Sequence, residues 1–126
     1  MARSVITEEQ VRDEDFLSED EFLNLTQIVW TTISGSYSAS AGDNLFLNSL
    51  IPDILISLPS IPSYGDSISF VDAPGNCSVN NVTVSGSGTK IMGLDENFLI
   101  DMSNARFTLS YFNSTYGWVL GVVGHT

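Results

Sequence analysis

Short runs of alternating apolar and polar residues fill this chain from about residue 45 to its end. Ile68 and Phe70 alternate with serines, and Phe107, Leu109 and Tyr111 alternate with polar residues in the same way. Alternation with a period of two is typical of a strand that buries one face. The pattern predicts strands over residues 45–47, 54–58, 67–71, 82–85, 90–92, 98–101, 106–112 and 118–123.

Turn-forming residues separate these runs at close intervals. Gly, Pro and Asn punctuate residues 59–65, 73–76, 86–88 and 113–117. Short strands joined by such turns are typical of a β-sandwich or a barrel. We therefore expect a mainly β protein whose residues 45–126 form an antiparallel β-sandwich or barrel head, with the small, polar residues 34–44 as a linker.

Residues 1–33 have a different character. Thr7 followed by Gln10, and Ser18 followed by Glu21, fit the capping box that begins a helix. These signals predict one or two short helices, over residues 7–17 and 18–30, before the head. Helices of this length are marginal by themselves and need a partner or the head to order them.

Acidic residues are concentrated in this N-terminal segment. Eight of the 15 Asp and Glu residues of the chain lie within its first 21 positions. A solvated, disordered arm is one interpretation. A docking segment is favoured because apolar side chains are interleaved with the acids, and the predicted partner-docking residues are Val11, Phe16, Leu17, Phe22 and Leu25.

Composition excludes several classes of partner and places folding in a reducing compartment. The formal charge is -11 with only four Lys and Arg residues, which argues against nucleic acid and against an anionic membrane surface. No run of about 18 apolar residues is present to span a membrane. A single cysteine, without a secretory signal, indicates folding in the cytoplasm.

Two groups of residues superficially suggest chemistry. Residues 86–90, Gly-Ser-Gly-Thr-Lys, lack the full phosphate-loop spacing and precede an apolar run, so a turn is favoured. Asp66, Asp72, Asp95 and Asp101 could supply a pair of glycosidase carboxylates. Asp66 and Asp72 are instead interpreted as turn residues that bond their own backbone.

The single cysteine does not predict a nucleophile. Cys77 would need a base beside it, and the only histidine, His125, lies at the C-terminus. Cys77 is therefore interpreted as a packing or loop residue. One Cys and one His also do not supply a zinc site, so we predict no catalytic residue, no metal, no cofactor and no enzyme activity.

Three aromatic residues near the C-terminus have two interpretations. Tyr111, Tyr116 and Trp118 could stack against a sugar as a glycan platform. At strand alternation, filling the core or an oligomer interface is the favoured interpretation.

Two stretches of the sequence resemble tailed-bacteriophage fibre and appendage proteins. The first resembles their N-terminal virion-attachment segment, through Ile6-Thr7-Glu8, Gln10-Val11, Asp13, Asp15-Phe16-Leu17-Ser18-Glu19 and Glu21. The second is similar to a small β domain at the distal end of such proteins. The residues that carry this similarity are Ser40-Ala41-Gly42-Asp43, Leu58-Pro59, Pro62-Ser63, Gly65-Asp66, Asp72-Ala73 with Gly75, Asn80-Asn81-Val82-Thr83-Val84, Lys90-Ile91 with Gly93, and Tyr116-Gly117-Trp118.

This resemblance implies a virion structural protein, assembled in the host cytoplasm. It implies a homotrimer that attaches to another virion protein through residues 1–25. The N-terminal segment and the β head are separated only by the short linker. This favours a short appendage on the collar, neck, baseplate or capsid surface over a long tail fibre. Alternatives left open are a receptor module for host surface polysaccharide and a capsid decoration or adaptor protein.

Overall fold

Nine strands build the part of the chain that the structure describes. The structure, a computed structural model, describes residues 28–122, and no helix occurs among them. The predicted mainly β fold is confirmed. Of the predicted helices, residues 7–17 and 18–27 lie outside the described residues, while residues 28–30 are not helical. The strands are β1 (Thr31–Ile33), β2 (Tyr37–Ser38), β3 (Asn44–Leu47), β4 (Ile54–Ser57), β5 (Ser67–Asp72), β6 (Val82–Ser85), β7 (Phe98–Ile100), β8 (Arg106–Asn113) and β9 (Gly117–Val122).

The strands form two open, mixed sheets that enclose one core. One sheet has five strands in the order β1-β3-β5-β8-β9, and the other has four in the order β2-β4-β6-β7. The first six strands alternate between the sheets and pair in parallel with the strand two positions away. They therefore wind as three turns of a coil, and β7, β8 and β9 then add in antiparallel fashion.

A sandwich-like arrangement fits this structure, whereas the closed barrel does not. The prediction of antiparallel sheets is confirmed for β7, β8 and β9 and is wrong for the first six strands. Alternation along a strand shows which side chains face the core, but it does not show which strand lies alongside. Here a tight connection carries the chain to the opposite sheet instead of closing a hairpin, so successive strands of one sheet run in the same direction.

Regular structure begins earlier than the sequence pattern indicates. Strand β1 lies in residues that the sequence assigns to the N-terminal segment, and β2 lies in the expected linker. Strands of three and two residues are too short to show a period. The predicted strand at 90–92 is absent, and Ile91 instead forms single bridges to Leu94 and Trp118.

The core consists of the inward-facing side chains of both sheets. Across the five-stranded sheet, Leu45, Phe70 and Phe107 lie side by side in register. The rings of Phe70 and Phe107 stack with centroids 5.0 Å apart. Phe98 from the opposite sheet meets Phe107 edge-on at 5.6 Å, so aromatic contacts join the two sheets.

Trp118 is the largest of the fully buried side chains. Its indole N–H donates to the Thr89 hydroxyl at 3.1 Å. Tyr111 packs edge-on against its ring at 5.6 Å. The indole therefore closes the core between β8, β9 and the segment that precedes β7.

A buried carboxylate joins three loops at one end of the sandwich. Asp72, at the end of β5, accepts hydrogen bonds from the Ser49 hydroxyl at 2.5 Å and from the Gly75 N–H at 3.1 Å. It also accepts from the N–H groups of Cys77 at 3.0 Å and Asn104 at 2.9 Å. The loops after β3, β5 and β7 therefore depend on this one side chain.

Asp72 remains ionised although it is buried. Burial opposes its negative charge, but the Ser49 hydroxyl and the N–H groups of Cys77 and Asn104 stabilise that charge and lower its pKa. Ser49 is itself fully buried, and its hydroxyl also accepts from the Asn76 N–H at 3.0 Å. Each donor around the carboxylate thus has its acceptor.

Replacing Trp118 should destabilise the protein strongly. We expect Trp118→Ala to lower the free energy of unfolding by about 4 kcal/mol, because it leaves a large cavity in the core. Tyr116→Ala, at an exposed position in the adjacent turn, is the control, with an expected loss below about 1 kcal/mol. Urea denaturation followed by circular dichroism measures both, and equal losses would contradict the packing described for Trp118.

Removing the charge of Asp72 should also destabilise the protein. Asp72→Asn keeps the shape but turns an amide NH₂ toward N–H donors, so we expect a loss of about 3 kcal/mol. Asp66→Asn is the control, because within residues 28–122 the Asp66 carboxylate accepts only the exposed Ser63 N–H. Urea midpoints for the two variants should differ clearly, and similar midpoints would show that the Asp72 network contributes little.

The same network predicts an acid-dependent loss of stability. The folded pKa of Asp72 is below its ordinary value of 3.8, so its stabilisation is complete above that value. It is lost as the pH falls through the folded pKa. Between about pH 5 and pH 2 the unfolding free energy of Asp72→Asn should therefore fall less steeply than that of the wild type. Parallel slopes in urea titrations would contradict this assignment.

Candidate functional site

The connections between strands gather at two edges of the sandwich. We define the first turn edge as the loops after β1, β3, β5 and β7, and the second turn edge as the loops after β2, β4, β6 and β8. Their positions follow from the strand directions. Among residues 28–122, every carboxylate except that of Asp72 belongs to one of these loops: Asp53 and Asp101 at the first edge, and Asp43, Asp66, Asp95 and Glu96 at the second.

Two of the second-edge carboxylates fix their own turns. Asp66 accepts the Ser63 N–H at 2.8 Å, which confirms the interpretation of Asp66 as a turn residue. Asp43 accepts the Ser40 N–H at 2.8 Å and the Tyr37 hydroxyl at 2.9 Å. The hydrogen bond to Asp43 raises the pKa of Tyr37. These groups therefore have structural roles.

The second turn edge also exposes large apolar side chains. Phe112 and Tyr116 stack on each other with centroids 5.9 Å apart, and both are about half exposed. Ile61 is 91% exposed. Apolar side chains among four carboxylates give this edge a mixed, amphipathic surface, and its exposed apolar members are Ile61, Tyr64, Met92, Leu94, Phe112 and Tyr116.

The structure separates the three aromatic residues predicted as an interface or glycan platform. Trp118 is buried in the core, and Tyr111 is half-buried against it. Only Tyr116 is exposed, on the second turn edge. The three rings therefore do not share one exposed surface, because Tyr111 and Trp118 are paired neighbours whose side chains face the core.

A different aromatic pair borders an open groove at the opposite end of the strands. Trp30 stacks on Phe46 with ring centroids 4.4 Å apart and planes inclined by 14°. The groove encloses about 510 Å³ along the outer face of the five-stranded sheet. The residues that line it are Trp30, Phe46, Val71, Asp72, Ala73, Asn104 and Arg106.

This groove is suited to binding and not to catalysis. Its surface is mainly apolar, with the exposed Arg106 as its one cation. Asp72 contributes to the wall, but its carboxylate already accepts four hydrogen bonds and is almost fully buried. Sequence reasoning missed the groove, because Trp30 falls before the first predicted strand and Phe46 belongs to a four-residue strand.

The glycine-rich segment at 86–90 forms a turn, as interpreted from the sequence. The Thr89 N–H donates to the Gly86 carbonyl at 3.0 Å, and the Thr89 hydroxyl donates to the same oxygen at 2.6 Å. Asp95 and Glu96 border the small cavity beside it. Two carboxylates at that position would repel a phosphate.

The candidate carboxylates do not form a metal cluster in the described part of the chain. No group of three or more His, Cys, Asp or Glu residues there could hold a metal ion. Asp95 and Asp101 are exposed and lie at opposite turn edges. Asp72 is committed to the loops of the first turn edge.

Cys77 is a packing residue, as the sequence suggested. Its side chain is fully buried in the core cluster. Burial, the nearby negative charge of Asp72 and a hydrogen bond to Asp72 raise the pKa of the thiol to about 12. The thiolate form that nucleophilic chemistry requires is therefore strongly disfavoured.

The predicted partner-docking residues lie outside the described residues. Val11, Phe16, Leu17, Phe22 and Leu25 all precede Ile28, where the description begins. In residues 28–122 there is no helix long and apolar enough to cross a membrane.

Comparison with known proteins gives no family for this chain. No protein-family model matches the sequence, and no curated protein matches it significantly. Its function is therefore inferred from the fold, the surface and the sequence pattern.

Proposed function

We propose that this chain is a bacteriophage virion structural protein, a short trimeric appendage that docks on the particle through its N-terminal segment. Its place is the collar, neck, baseplate or capsid surface, where a small head suffices. The proposal begins from the resemblance of residues 6–21 and 37–120 to fibre and appendage proteins. The fold and surface of residues 28–122 give it independent support.

The observation that carries the proposal is the amount of exposed apolar surface. Sixteen large apolar side chains are exposed among residues 28–122. Six of them lie on the second turn edge, where Phe112 stacks on Tyr116. Soluble monomers seldom expose contiguous apolar patches beyond a few hundred Å². A surface of this kind favours a protein that works inside an assembly, where such side chains are covered.

The polar chemistry of the head supports a structural role as well. Among the carboxylates of residues 28–122, only that of Asp72 is neither exposed nor part of a turn. Its hydrogen bonds hold loops together. The single thiol is buried and protonated at neutral pH. Each of these groups stabilises the head, and the groove beside Trp30 is a binding surface.

Binding of host surface polysaccharide is a second candidate. The stacked Phe112 and Tyr116 rings are half exposed on the second turn edge, and Tyr64 is exposed on the same edge. Aromatic faces with nearby hydrogen-bond acceptors suit a sugar. This role is compatible with the first, because an appendage can present its outer edge to the host.

Incorporation into particles tests the structural role directly. We expect the full chain with Phe16→Ser and Phe22→Ser to keep the head folded but to enter particles at least about tenfold less than the wild type, because apolar anchors are lost from the docking segment. Ile61→Ser, which also removes an exposed apolar side chain but from the head, is the matched control.

The measurement is the amount of chain per purified particle, in host cells that lack the wild-type copy. Circular dichroism confirms that each variant is folded. Normal incorporation of the double variant would contradict docking through the N-terminal segment. Absence of the wild-type chain from purified particles would contradict the proposed function as a whole.

A further inference from the structure

The outer face of the five-stranded sheet carries no carboxylate in an otherwise acidic protein. Across its centre, Asn44, Ser69, Thr108 and Gly121 lie side by side in register. The next row toward the first turn edge holds Thr32, Phe46, Val71 and Arg106, and the next row toward the second edge holds Ser67, Ser110 and Val119. The only charge in these three rows is that of Arg106.

We propose that this outer face is the surface through which copies of the chain associate around a shared axis. The inference rests on the homotrimer of the proposed function and names the face that forms it. The occupant is a second copy of the same chain. Three arguments, from charge, from shape and from area, support that choice.

The charge distribution favours a second copy at this face. Each copy has a formal charge of -11, so identical copies repel wherever their carboxylates meet. The second turn edge is apolar but holds four carboxylates, and symmetric contact there would bring like charges together. The four-stranded sheet has two carboxylates at the border of its outer face. Asp53 lies directly before β4 and Asp101 directly after β7, both at the first turn edge. The five-stranded face avoids this repulsion.

The shape of the face suits close packing between sheets. Its central row is built from small or short side chains, and the Ser69 and Thr108 hydroxyls bond to each other at 2.9 Å. Their polar groups therefore have partners before any contact forms. Short side chains of this kind let the sheets of neighbouring copies approach one another closely around the shared axis. The larger Trp30 and Phe46 rings stand at one end of the face, beside the groove.

The area of the face adds to the same argument. Its strands have 3, 4, 6, 8 and 6 residues, which at about 3.3 Å per residue and about 4.8 Å between strands give a flat footprint on the order of 430 Å². Three such faces turned toward a common axis bury on the order of 1,300 Å² together. Val29, an exposed apolar residue at the border of the face, extends that area.

A charged side chain placed on this face should dissociate the oligomer. In Thr108→Arg each copy carries a cation at the centre of the face, so we expect the mass in solution to fall to the 13.7 kDa of one chain. Thr83→Arg is the matched control, because Thr83 is also half-buried, outward-facing and flanked on both sides by strands, but in the four-stranded sheet. It should keep the mass of the wild type.

A second pair of variants protects the test against misfolding. Thr108→Arg also removes the hydrogen bond to Ser69, so Ser110→Glu provides an independent change on the same face. Its control is Ser57→Glu on the four-stranded sheet. Far-UV circular dichroism, which reports on the strands, selects the variants that are folded. Light scattering over a range of concentrations then gives the mass of each full-length chain.

Several outcomes would overturn the proposal. It fails if the wild type is a monomer at every concentration, or if folded Thr108→Arg and Ser110→Glu keep the wild-type mass. Dissociation by Thr83→Arg or Ser57→Glu would also overturn it, by moving the contact to the other sheet. Particle incorporation remains a separate measurement: a monomer that still enters particles would overturn this proposal and leave the virion role standing.

Discussion

The hydrogen bonds to Asp72 are the constraint on which the two-sheet architecture depends. The chain crosses between the sheets five times within the first six strands. At each crossing on the first turn edge, the backbone N–H and C=O groups of the loop need hydrogen-bond partners that no neighbouring strand supplies. One carboxylate supplies acceptors for loops that are far apart in sequence. With those loops fixed, β5 and β8 keep the register that aligns Phe70 with Phe107. The aromatic contacts of the core follow from that register.

Much of the β structure could be predicted from the sequence, and the limits have physical causes. The alternation of Ile68 with Phe70 and of Phe107 with Leu109 correctly showed which side chains enter the core. Strand direction could not be predicted, because side-chain alternation is the same in parallel and antiparallel sheets. The coil depends instead on loops that cross between sheets, and the key acceptor for those loops, Asp72 at the end of β5, looks like an ordinary turn aspartate in the sequence.

The candidate surfaces were harder to predict than the core. Tyr111, Tyr116 and Trp118 are close in sequence and aromatic, yet a bulge and a tight turn send them to different environments. The Trp30–Phe46 pair forms only because parallel pairing of β1 with β3 brings residues 16 positions apart into contact. Long-range pairing decides such surfaces, and a single sequence contains no direct record of it. The absence of charge from the five-stranded face likewise appears only when the strands are aligned.

The order in which the strands join the five-stranded sheet has a consequence for folding during synthesis. Strand β5 pairs with β8, so that Phe70 meets Phe107 across 36 intervening residues. Until residues 106–113 leave the ribosome, the edge of β5 exposes unpaired N–H and C=O groups beside apolar side chains. Such an edge is a template for pairing with another nascent chain. Slow translation through residues 73–105 would therefore lengthen the window for aggregation, and rapid arrival of β8 would close it.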